Sequence, residues 1–282
     1  MSEKGLKTLA GIIKHFDLEL IDIVVLARDR NVINDYSSEI EGLCIKNGIK
    51  VFERSDTYII KSKYVIAISW RWIIPITKEN ILITIHDSLL PKYRGFAPLV
   101  NQLLNKEPYI GLTAIHSNEE IDKGDIITQL KTKVNYPIKI KDAISNISKL
   151  YVDIVKNIIQ QITENGKLKT IPQNEKEATY SLWRDENDYK INWNWSASKI
   201  QNFIFSVGNP YKGASSFLLD KKIRIYDVFE VDDVVIENRD VGKVIFMDDK
   251  LPVVVCGKGL LKITNAVYDK NMVSIFPLKK FR

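Results

Sequence analysis

Cysteine and histidine are scarce in this chain, which has two cysteines and three histidines among 282 residues. Cys44 and Cys256 lie far apart in sequence, and no Cys/His spacing typical of a zinc site is present, so no structural metal is expected. No apolar run reaches the roughly 18 to 20 residues that a membrane-spanning helix needs. The first residues also lack the basic-then-apolar pattern of a secretory signal, so we expect a cytoplasmic protein with reduced thiols.

Blocks of like charge are also missing, although the formal net charge is +6. A positive charge can attract a polyanion such as tRNA, or a nucleotide diphosphate. It can equally reflect lysines scattered over solvated faces. Because no run of five or more basic residues occurs, the second interpretation is favoured. The apolar content of 45% and charged content of 27% are ordinary for a globular protein.

Helical and strand patterns alternate in the first part of the chain. Apolar spacing predicts helices over residues 6–16, 35–47, 98–104 and 138–162. Apolar β-branched runs predict strands over residues 21–27, 49–52, 64–69, 81–85, 113–116 and 126–130. This alternation predicts an α/β fold whose N-terminal domain is mostly parallel and doubly wound (Rossmann-like). Such a domain normally opens with a strand, so either the first strand is absent or very short, or the natural start lies elsewhere.

The pattern changes after Gly166. A polar, proline-marked stretch and a short helix over 196–205 precede five short β-type runs with Gly, Asp and Lys turns. We therefore expect a small β-rich C-terminal domain. The predicted domains are a catalytic domain over 1–170, a linker with a short helix over 171–205, and the β-rich domain over 206–282.

Residues 86–95, His-Asp-Ser-Leu-Leu-Pro-Lys-Tyr-Arg-Gly, directly follow a predicted buried strand. The carboxyl ends of parallel strands are where an open α/β sheet presents reactive side chains. A second segment, Ile-Asp-Lys-Gly-Asp-Ile-Ile over 121–127, is an acidic turn that opens onto another apolar run. Together they predict a histidine–carboxylate site made by His86 and Asp122, and hence an enzyme. On its own, Asp122 has the alternative role of a turn residue before Gly124.

These segments, with Gly111-Leu112-Thr113 between them, resemble the 10-formyltetrahydrofolate-dependent formyltransferases. That family includes methionyl-tRNA, glycinamide ribonucleotide and sugar N-formyltransferases. The resemblance covers residues 20–165 and continues more loosely through 191–193 and 209–214.

The resemblance implies a catalytic set of Asn, His and Asp. His86 and Asp122 match the last two, but Thr84 occupies the position of the family asparagine. A threonine hydroxyl can also donate a hydrogen bond to a formyl oxygen, although it is shorter than a carboxamide. Loss of one oxyanion donor costs on the order of 3 kcal/mol in other acyl-transfer enzymes. A non-catalytic relative that binds folate or nucleotide therefore stays an alternative.

The chemistry explains why these residue types are needed. A neutral amine attacks the formyl carbon, one proton must leave the amine, and one must reach the folate nitrogen. Histidine suits this shuttle or a contact to the oxyanion, because its pKa lies near neutrality. A carboxylate close to His86 favours the imidazolium and can accept the amine proton.

The resemblance also implies where the two substrates bind. The co-substrate 10-formyltetrahydrofolate would contact the loop after the strand over 64–69 and the start of the strand after Asp122: Ser69, Trp70, Arg71, Trp72, Ile73, Asp125 and Ile126. Candidate residues for the second substrate are Ser88, Lys92, Arg94, Gly95, Trp183, Arg184 and Tyr211. Each group has a structural alternative: the tryptophans can be core residues, Arg94 can pin its loop, and Ser88 can fix it.

The expected acceptor is the amine of a nucleotide-linked amino sugar, such as a dTDP- or GDP-amino-deoxysugar of surface polysaccharide or lipopolysaccharide synthesis. Nucleic acid is not the expected partner, because the C-terminal part mixes acidic residues such as Asp232 and Asp248 among its lysines. The segment from Arg28 to Asp35 is also short for a tRNA formyltransferase, which is the alternative function. A homodimer is possible.

Overall fold

The computed structural model describes residues 2–28 and 35–276. Its Cα positions form two compact units. The first contains Met1–Gln102, Glu107–Val134 and Ala143–Leu182, and the second contains Leu103–Lys106, Asn135–Asp142 and Trp183–Arg282. Among the described residues, no helix is both long and apolar enough to cross a membrane.

Helices and strands alternate through the first two thirds of the chain. In chain order these elements are α1 (Ser2–His15), β1 (Val24–Leu26), α2 (Ser37–Lys46), β2 (Val51–Glu53), β3 (Tyr64–Ala67), β4 (Ile81–His86), β5 (Arg94–Gly95), α3 (Pro98–Leu104), β6 (Tyr109–His116), β7 (Asp125–Lys133), α4 (Ile140–Asn165) and β8 (Tyr180–Ser181). The predicted helices and strands are all present, with shifted ends. The strand predicted over 21–27 is shortened to the three residues of β1.

Parallel pairing joins the first four strands in two separate sheets. β1 pairs with β2, and β3 pairs with β4 in a four-stranded sheet of order β3-β4-β6-β7. β6 and β7 run antiparallel to their neighbours. The loop between them is far shorter than the dozen or so residues that a parallel crossover needs, so this pair forms a hairpin instead. The predicted α/β class is confirmed.

The core of the first unit forms where α4 packs on the four-stranded sheet. Strands β4 and β6 contribute fully buried residues such as Ile83, Leu112 and Ala114. Along α4, Ile147, Ile154 and Ile158 are fully buried at the spacing of one helix face. Each such side chain contributes about 1.5–3 kcal/mol through its transfer out of water. This packing fixes β4, which ends at the predicted catalytic histidine.

A partly buried ion pair attaches α1 to the loop after β4. The ammonium of Lys4 contacts the carboxylate of Asp87, and the Tyr151 hydroxyl donates to Asp87 Oδ1 at 2.7 Å. Gln102 Nε2 donates to the Asp87 carbonyl at 2.6 Å. Burial raises the pKa of Asp87, but the charge and hydrogen bond of Lys4 and the hydrogen bond of Tyr151 together hold that pKa below its ordinary value. These contacts hold the residue next to His86 in place.

The second unit is built on antiparallel strands. Its elements are α5 (Ala197–Val207), β9 (Ala214–Leu218), β10 (Lys221–Val231), β11 (Val244–Asp248), β12 (Leu251–Val255) and β13 (Leu260–Tyr268). The strands form one sheet of order β11-β12-β13-β10-β9. The Ser196 hydroxyl caps α5 by accepting from the Lys199 N–H. A small β-rich C-terminal part is thus confirmed.

Both cysteines are buried thiols, one in each unit. Desolvation raises the pKa of Cys44 to about 11 and that of Cys256 to about 12. Neither thiol therefore forms appreciable thiolate at neutral pH.

The low pKa of Asp87 predicts a loss of stability in acid. A carboxyl group whose pKa is lower in the folded than in the unfolded state stabilises the fold above its unfolded pKa, about 3.9. This contribution disappears as the pH falls through the folded-state value. We expect Asp87→Asn to reduce the fall in the free energy of unfolding between about pH 5 and pH 2. Urea denaturation at each pH measures this free energy. Exposed Asp220→Asn is the control, and equal slopes in both variants would contradict the assignment.

Candidate active site

The predicted catalytic residues meet at the carboxyl end of β4. His86 is the last residue of that strand, and Thr84 lies two residues before it, on the same face. Asp122 belongs to the loop between β6 and β7, which begins beside Leu82 and returns so that the Asp122 carboxylate lies 3.5 Å from the His86 ring. The structure therefore brings all three residues to one end of the sheet, where an open α/β fold presents its ligand-binding groups.

The imidazole of His86 lies between a carboxylate and a main-chain carbonyl. Its Nδ1 is 3.5 Å from Asp122 Oδ1, and its Nε2 is 2.8 Å from the carbonyl oxygen of Tyr93. A carbonyl oxygen only accepts, so Nε2 carries a proton. Nδ1 is thus the nitrogen that can exchange a proton with a ligand, and it faces the carboxylate of Asp122. The two side chains are about 10% and 19% exposed, so a ligand can reach them.

The conformation of Asp122 depends on contacts from two other segments. Its backbone has a left-handed φ of 56°, which is unusual for a residue with a side chain. Asp122 Oδ2 accepts the Gly95 N–H at 2.8 Å, and Gln173 Nε2 donates to the carbonyls of Asp122 and Gly124. A Cβ on Gly124 would lie 1.9 Å from the His116 carbonyl oxygen, so only glycine permits this approach.

Ser88 fixes the loop after β4, which was the alternative expected for it, and its contact with substrate stays a prediction. Its side chain is fully buried, and its hydroxyl donates to the Lys92 carbonyl at 2.6 Å. Thr113 on β6 donates to the Ser88 carbonyl and accepts from the Leu90 N–H. A buried hydroxyl bonded in this way is also unable to act as a nucleophile. Lys92 itself is exposed on the loop.

Arg94 holds its loop, as one of the two roles expected for it requires, and its contact with substrate stays a prediction. The guanidinium is fully buried and makes two hydrogen bonds to the carboxylate of Glu175. It makes two more to Gln173 Oε1. The hydrogen bond from Arg94 lowers the pKa of Glu175, and the same bond raises the pKa of Arg94. The Arg94 guanidinium therefore forms its ion pair and its hydrogen bonds with groups of the protein.

Gly95 continues this segment with a φ of 97°. A Cβ there would lie 2.7 Å from the Ser181 carbonyl oxygen, because β5 pairs closely with β8. Gly95 contributes its backbone N–H to Asp122. Its predicted role in binding substrate stays a prediction.

A pair of hydroxyl groups stands where the family has its asparagine. Thr84 Oγ1 is 2.9 Å from Ser117 Oγ, and either oxygen can be the donor. One proton is used in this bond, and the other hydroxyl keeps its proton for a ligand. Ser117 directly follows β6 and donates its N–H to the Leu82 carbonyl. The sequence analysis missed Ser117, because nothing in its spacing connects it to Thr84.

The loop predicted to bind folate follows β3 at the same edge of the sheet. Ser69 has a left-handed φ of 49°, and the rings of Trp70 and Trp72 meet edge to face at 5.2 Å. The Arg71 guanidinium lies 5.0 Å from the Trp72 ring centre, and Ile73 is 94% exposed. Trp70 Nε1 is buried without a hydrogen-bond partner in the part of the chain that the structure describes.

The remaining candidates lie on β7 and in the second unit. Asp125 begins β7 and is exposed, and Ile126 exchanges two backbone hydrogen bonds with Ile171. Trp183 is 65% exposed and Tyr211 is 37% exposed. Arg184 donates to the Asp188 carbonyl at 3.4 Å. These three residues belong to the second unit, whereas His86 and Asp122 belong to the first.

The arrangement is suited to proton transfer beside a hydrogen-bond donor. His86 and Asp122 can accept and pass a proton, and the Thr84–Ser117 pair can donate to a developing negative charge. The sequence analysis also missed Gln173, Glu175 and the Tyr93 carbonyl. It treated residues 171–177 as a linker, and their polarity alone gave no sign of these contacts.

Comparisons with known proteins match two successive parts of the chain. The family model described as formyl transferase matches residues 56–159, and the one described as formyl transferase, C-terminal domain, matches residues 184–276. The methionyl-tRNA formyltransferase of Carboxydothermus hydrogenoformans is 28% identical over 263 residues, which cover 88% of this chain and 83% of that protein.

Two solved structures share the fold along most of both chains. The N-formyltransferase of Helicobacter canadensis, in complex with folinic acid and dTDP-3-aminofucose, has a TM-score of 0.68 at 21% identity and covers 93% of this chain and 95% of its own. WlaRD, a sugar 3N-formyl transferase crystallised with dTDP and 5-N-formyl-THF, has a TM-score of 0.65 at 22% identity and covers 92% of each chain. Since two models of one family match successive parts of the chain, this protein belongs to the formyl transferase family and is a formyltransferase.

Proposed function

We propose that this enzyme transfers a formyl group from 10-formyltetrahydrofolate to the amine of a nucleotide-linked amino sugar. The observation that carries the transfer is the convergence of His86, Asp122 and the Thr84–Ser117 pair at one edge of the sheet. The similar structures with folinic acid or 5-N-formyl-THF support the donor, and the one with dTDP-3-aminofucose supports the class of acceptor.

The loop after β3 fits a flat, polar heterocycle such as the folate pterin. Trp70 offers a buried indole N–H that has no partner among the described residues, and a ligand acceptor would satisfy it. When bound, the folate supplies an electrophilic formyl carbon. Ser69, Arg71, Trp72 and Ile73 surround the same turn, whereas Asp125 and Ile126 are proposed to contribute from β7.

The proposed roles of the catalytic residues follow from the hydrogen-bond geometry. The Tyr93 carbonyl holds the proton on His86 Nε2, so Nδ1 takes the proton that leaves the amine. Asp122 Oδ1, 3.5 Å away, stabilises the resulting imidazolium. Nδ1 then passes this proton to the folate nitrogen as the bond between that nitrogen and the formyl carbon breaks. The free proton of the Thr84–Ser117 pair donates to the formyl oxygen as negative charge develops there. Thr84 therefore need not imply a non-catalytic relative.

The charge of the second unit supports a small acceptor over tRNA. Residues 183–282 contain 16 basic and 13 acidic residues, so the basic excess over this segment is small. Many of the basic groups are neutralised locally: Arg224 pairs with Glu186 and Asp269, and Lys262 pairs with Asp248. A tRNA-binding face requires clustered, available positive charge. Trp183, Arg184, Lys92 and Tyr211 are the proposed contacts to the nucleotide part.

Methionyl-tRNA formylation is the second candidate, because a methionyl-tRNA formyltransferase is similar over most of the chain. The short segment between Arg28 and Asp35, which we expected to disfavour tRNA, falls mainly on residues outside the described ones. An activity assay with both kinds of acceptor therefore distinguishes an amino sugar from methionyl-tRNA.

A panel of nucleotide amino sugars distinguishes the two candidates. We expect release of tetrahydrofolate with at least one dTDP- or GDP-linked amino sugar, monitored spectroscopically. Charged initiator tRNA should give no transfer, and its binding should be weak at physiological salt. Turnover with the tRNA alone, with an affinity that falls steeply as salt rises, would establish the second candidate instead.

Replacement of the imidazole tests the catalytic assignment. We expect His86→Ala to lower kcat/KM by about 10²–10⁴, the usual contribution of a general acid–base group. Thermal unfolding should change little, since the side chain makes one hydrogen bond. His15→Ala, on the exposed face of α1, is the matched control. A His86→Ala enzyme with the full rate would refute the proposed role.

The hydroxyl pair is tested by a rescue experiment. We expect Ser117→Ala to lower kcat about 100-fold, because it removes a donor to the formyl oxygen. Adding Thr84→Asn to this variant should restore most of the rate, since a carboxamide donates without Ser117. If Ser117→Ala leaves kcat unchanged, the pair is not the donor.

A further inference from the structure

Two arginine side chains lie against the indole ring of Trp72. The guanidinium carbon of Arg54 is 5.3 Å from the ring centre, and that of Arg71 is 5.0 Å from it. Since both contact one ring, the two guanidinium carbons can be no farther apart than the sum of these distances. The Trp70 ring meets the Trp72 ring edge to face at 5.2 Å. We call Arg54, Arg71 and Trp72 the arginine–tryptophan cluster.

The cluster lies at the carboxyl ends of two strands that belong to parallel pairs. Arg54 directly follows β2, which pairs with β1, and Arg71 lies in the loop after β3, which pairs with β4. The contact of Arg54 with Trp72 brings these two strand ends together. Open α/β folds bind their ligands at the carboxyl ends of parallel strands. The two positive charges are therefore placed at the ligand-binding edge of the first unit.

The acidic residues next to Arg54 do not neutralise its charge. The Glu53 carboxylate accepts from Arg28 Nε at 2.7 Å, and Asp56 Oδ2 accepts from the Glu53 N–H at 2.8 Å. Within residues 2–28 and 35–276, the guanidinium of Arg54 makes no ion pair, and it packs on Trp72. A guanidinium over an aromatic ring keeps the N–H groups in its own plane for a carboxylate or a phosphate. Arg54 is exposed, so an anionic ligand can reach these donors.

The formyl donor itself is an anion. A folate consists of a pterin, an aminobenzoyl group and a terminal glutamate, whose α- and γ-carboxylates are ionised at neutral pH. Arg71 and Trp72 belong to the loop proposed to bind the pterin, and Arg54 is the cation beside this loop. Each guanidinium can bind a carboxylate through two parallel hydrogen bonds. Two arginines therefore match the two carboxylates of one glutamate.

We propose that Arg54 and Arg71 bind the glutamate carboxylates of the folate donor. This inference rests on the proposed folate loop, and it adds Arg54 and the anionic end of the ligand to that site. The diphosphate of a nucleotide acceptor has similar charge, but the tryptophan that holds both arginines belongs to the folate loop, which favours the folate. Because Arg54 is exposed, its interaction with a carboxylate should weaken as salt rises.

Two forms of one ligand test the proposal. The first is 5-formyltetrahydrofolate, and the second is its diamide, in which neutral amides replace both glutamate carboxylates. Isothermal titration calorimetry at low salt measures the dissociation constant of each. We expect the protein to bind the carboxylate form at least about tenfold more tightly, as charge-assisted hydrogen bonds imply.

Variants of Arg54 assign this difference to the cluster. In Arg54→Gln the ratio of the two dissociation constants should fall below about three, while the affinity for the diamide stays unchanged. Arg54→Lys should keep part of the ratio, because it retains the charge without the planar fork. Lys149→Gln, which removes an exposed charge from α4, is the matched control and should keep the full ratio.

Equal affinities of the unaltered protein for the two ligands would overturn this proposal and leave the proposed function intact. If neither ligand binds, the proposed donor site is wrong, and this inference fails with it. An equal fall of the ratio in Arg54→Gln and Lys149→Gln would show an effect of net charge instead of a subsite. Titration with dTDP tests the other source of negative charge. If Arg54→Gln weakens dTDP about tenfold and leaves the ratio for the two folates unchanged, the cluster binds a nucleotide diphosphate and the proposal is wrong.

Discussion

The side-chain amide of Gln173 ties together the two loops that carry the catalytic groups. Its oxygen accepts from Arg94, in the loop after β4, and its nitrogen donates to the carbonyls of Asp122 and Gly124, in the loop after β6. Because one amide group bonds to both loops, Gln173 supports the 3.5 Å approach of Asp122 to His86. Glu175 adds a bidentate ion pair to the same arginine, so the segment after α4 supports the site.

The loop held by these contacts determines which nitrogen of His86 carries a proton and which nitrogen faces Asp122. The Tyr93 carbonyl belongs to the loop that Arg94 and Ser88 hold, and it keeps the proton on Nε2. The same loop presents the Gly95 N–H to Asp122 Oδ2, which leaves Oδ1 facing Nδ1. The buried polar residues of the motif therefore orient the reactive groups, and only a few of its members are exposed to a ligand.

Sequence patterns predicted the elements well, because apolar periodicity reports directly on burial. α4 and β4 follow such patterns almost to their ends, and the histidine motif placed His86 correctly at the end of its strand. Contacts between distant segments have no such signature. Gln173 and Ser117 act through hydrogen bonds to residues far away in sequence, and the burial of Ser88 and Arg94 depends on how the loop folds. A motif of polar residues does not reveal which of its members form hydrogen bonds within the protein, as Ser88 and Arg94 do.

The buried state of both cysteines has a practical consequence. With thiol pKa values of about 11 and 12, Cys44 and Cys256 present almost no thiolate to alkylating reagents or oxidants at neutral pH. A single cysteine introduced at an exposed position, such as Lys92 or Ile73, would then be the most reactive thiol among the described residues. Fluorescent or spin labels could report on either loop of the site while both native cysteines are retained.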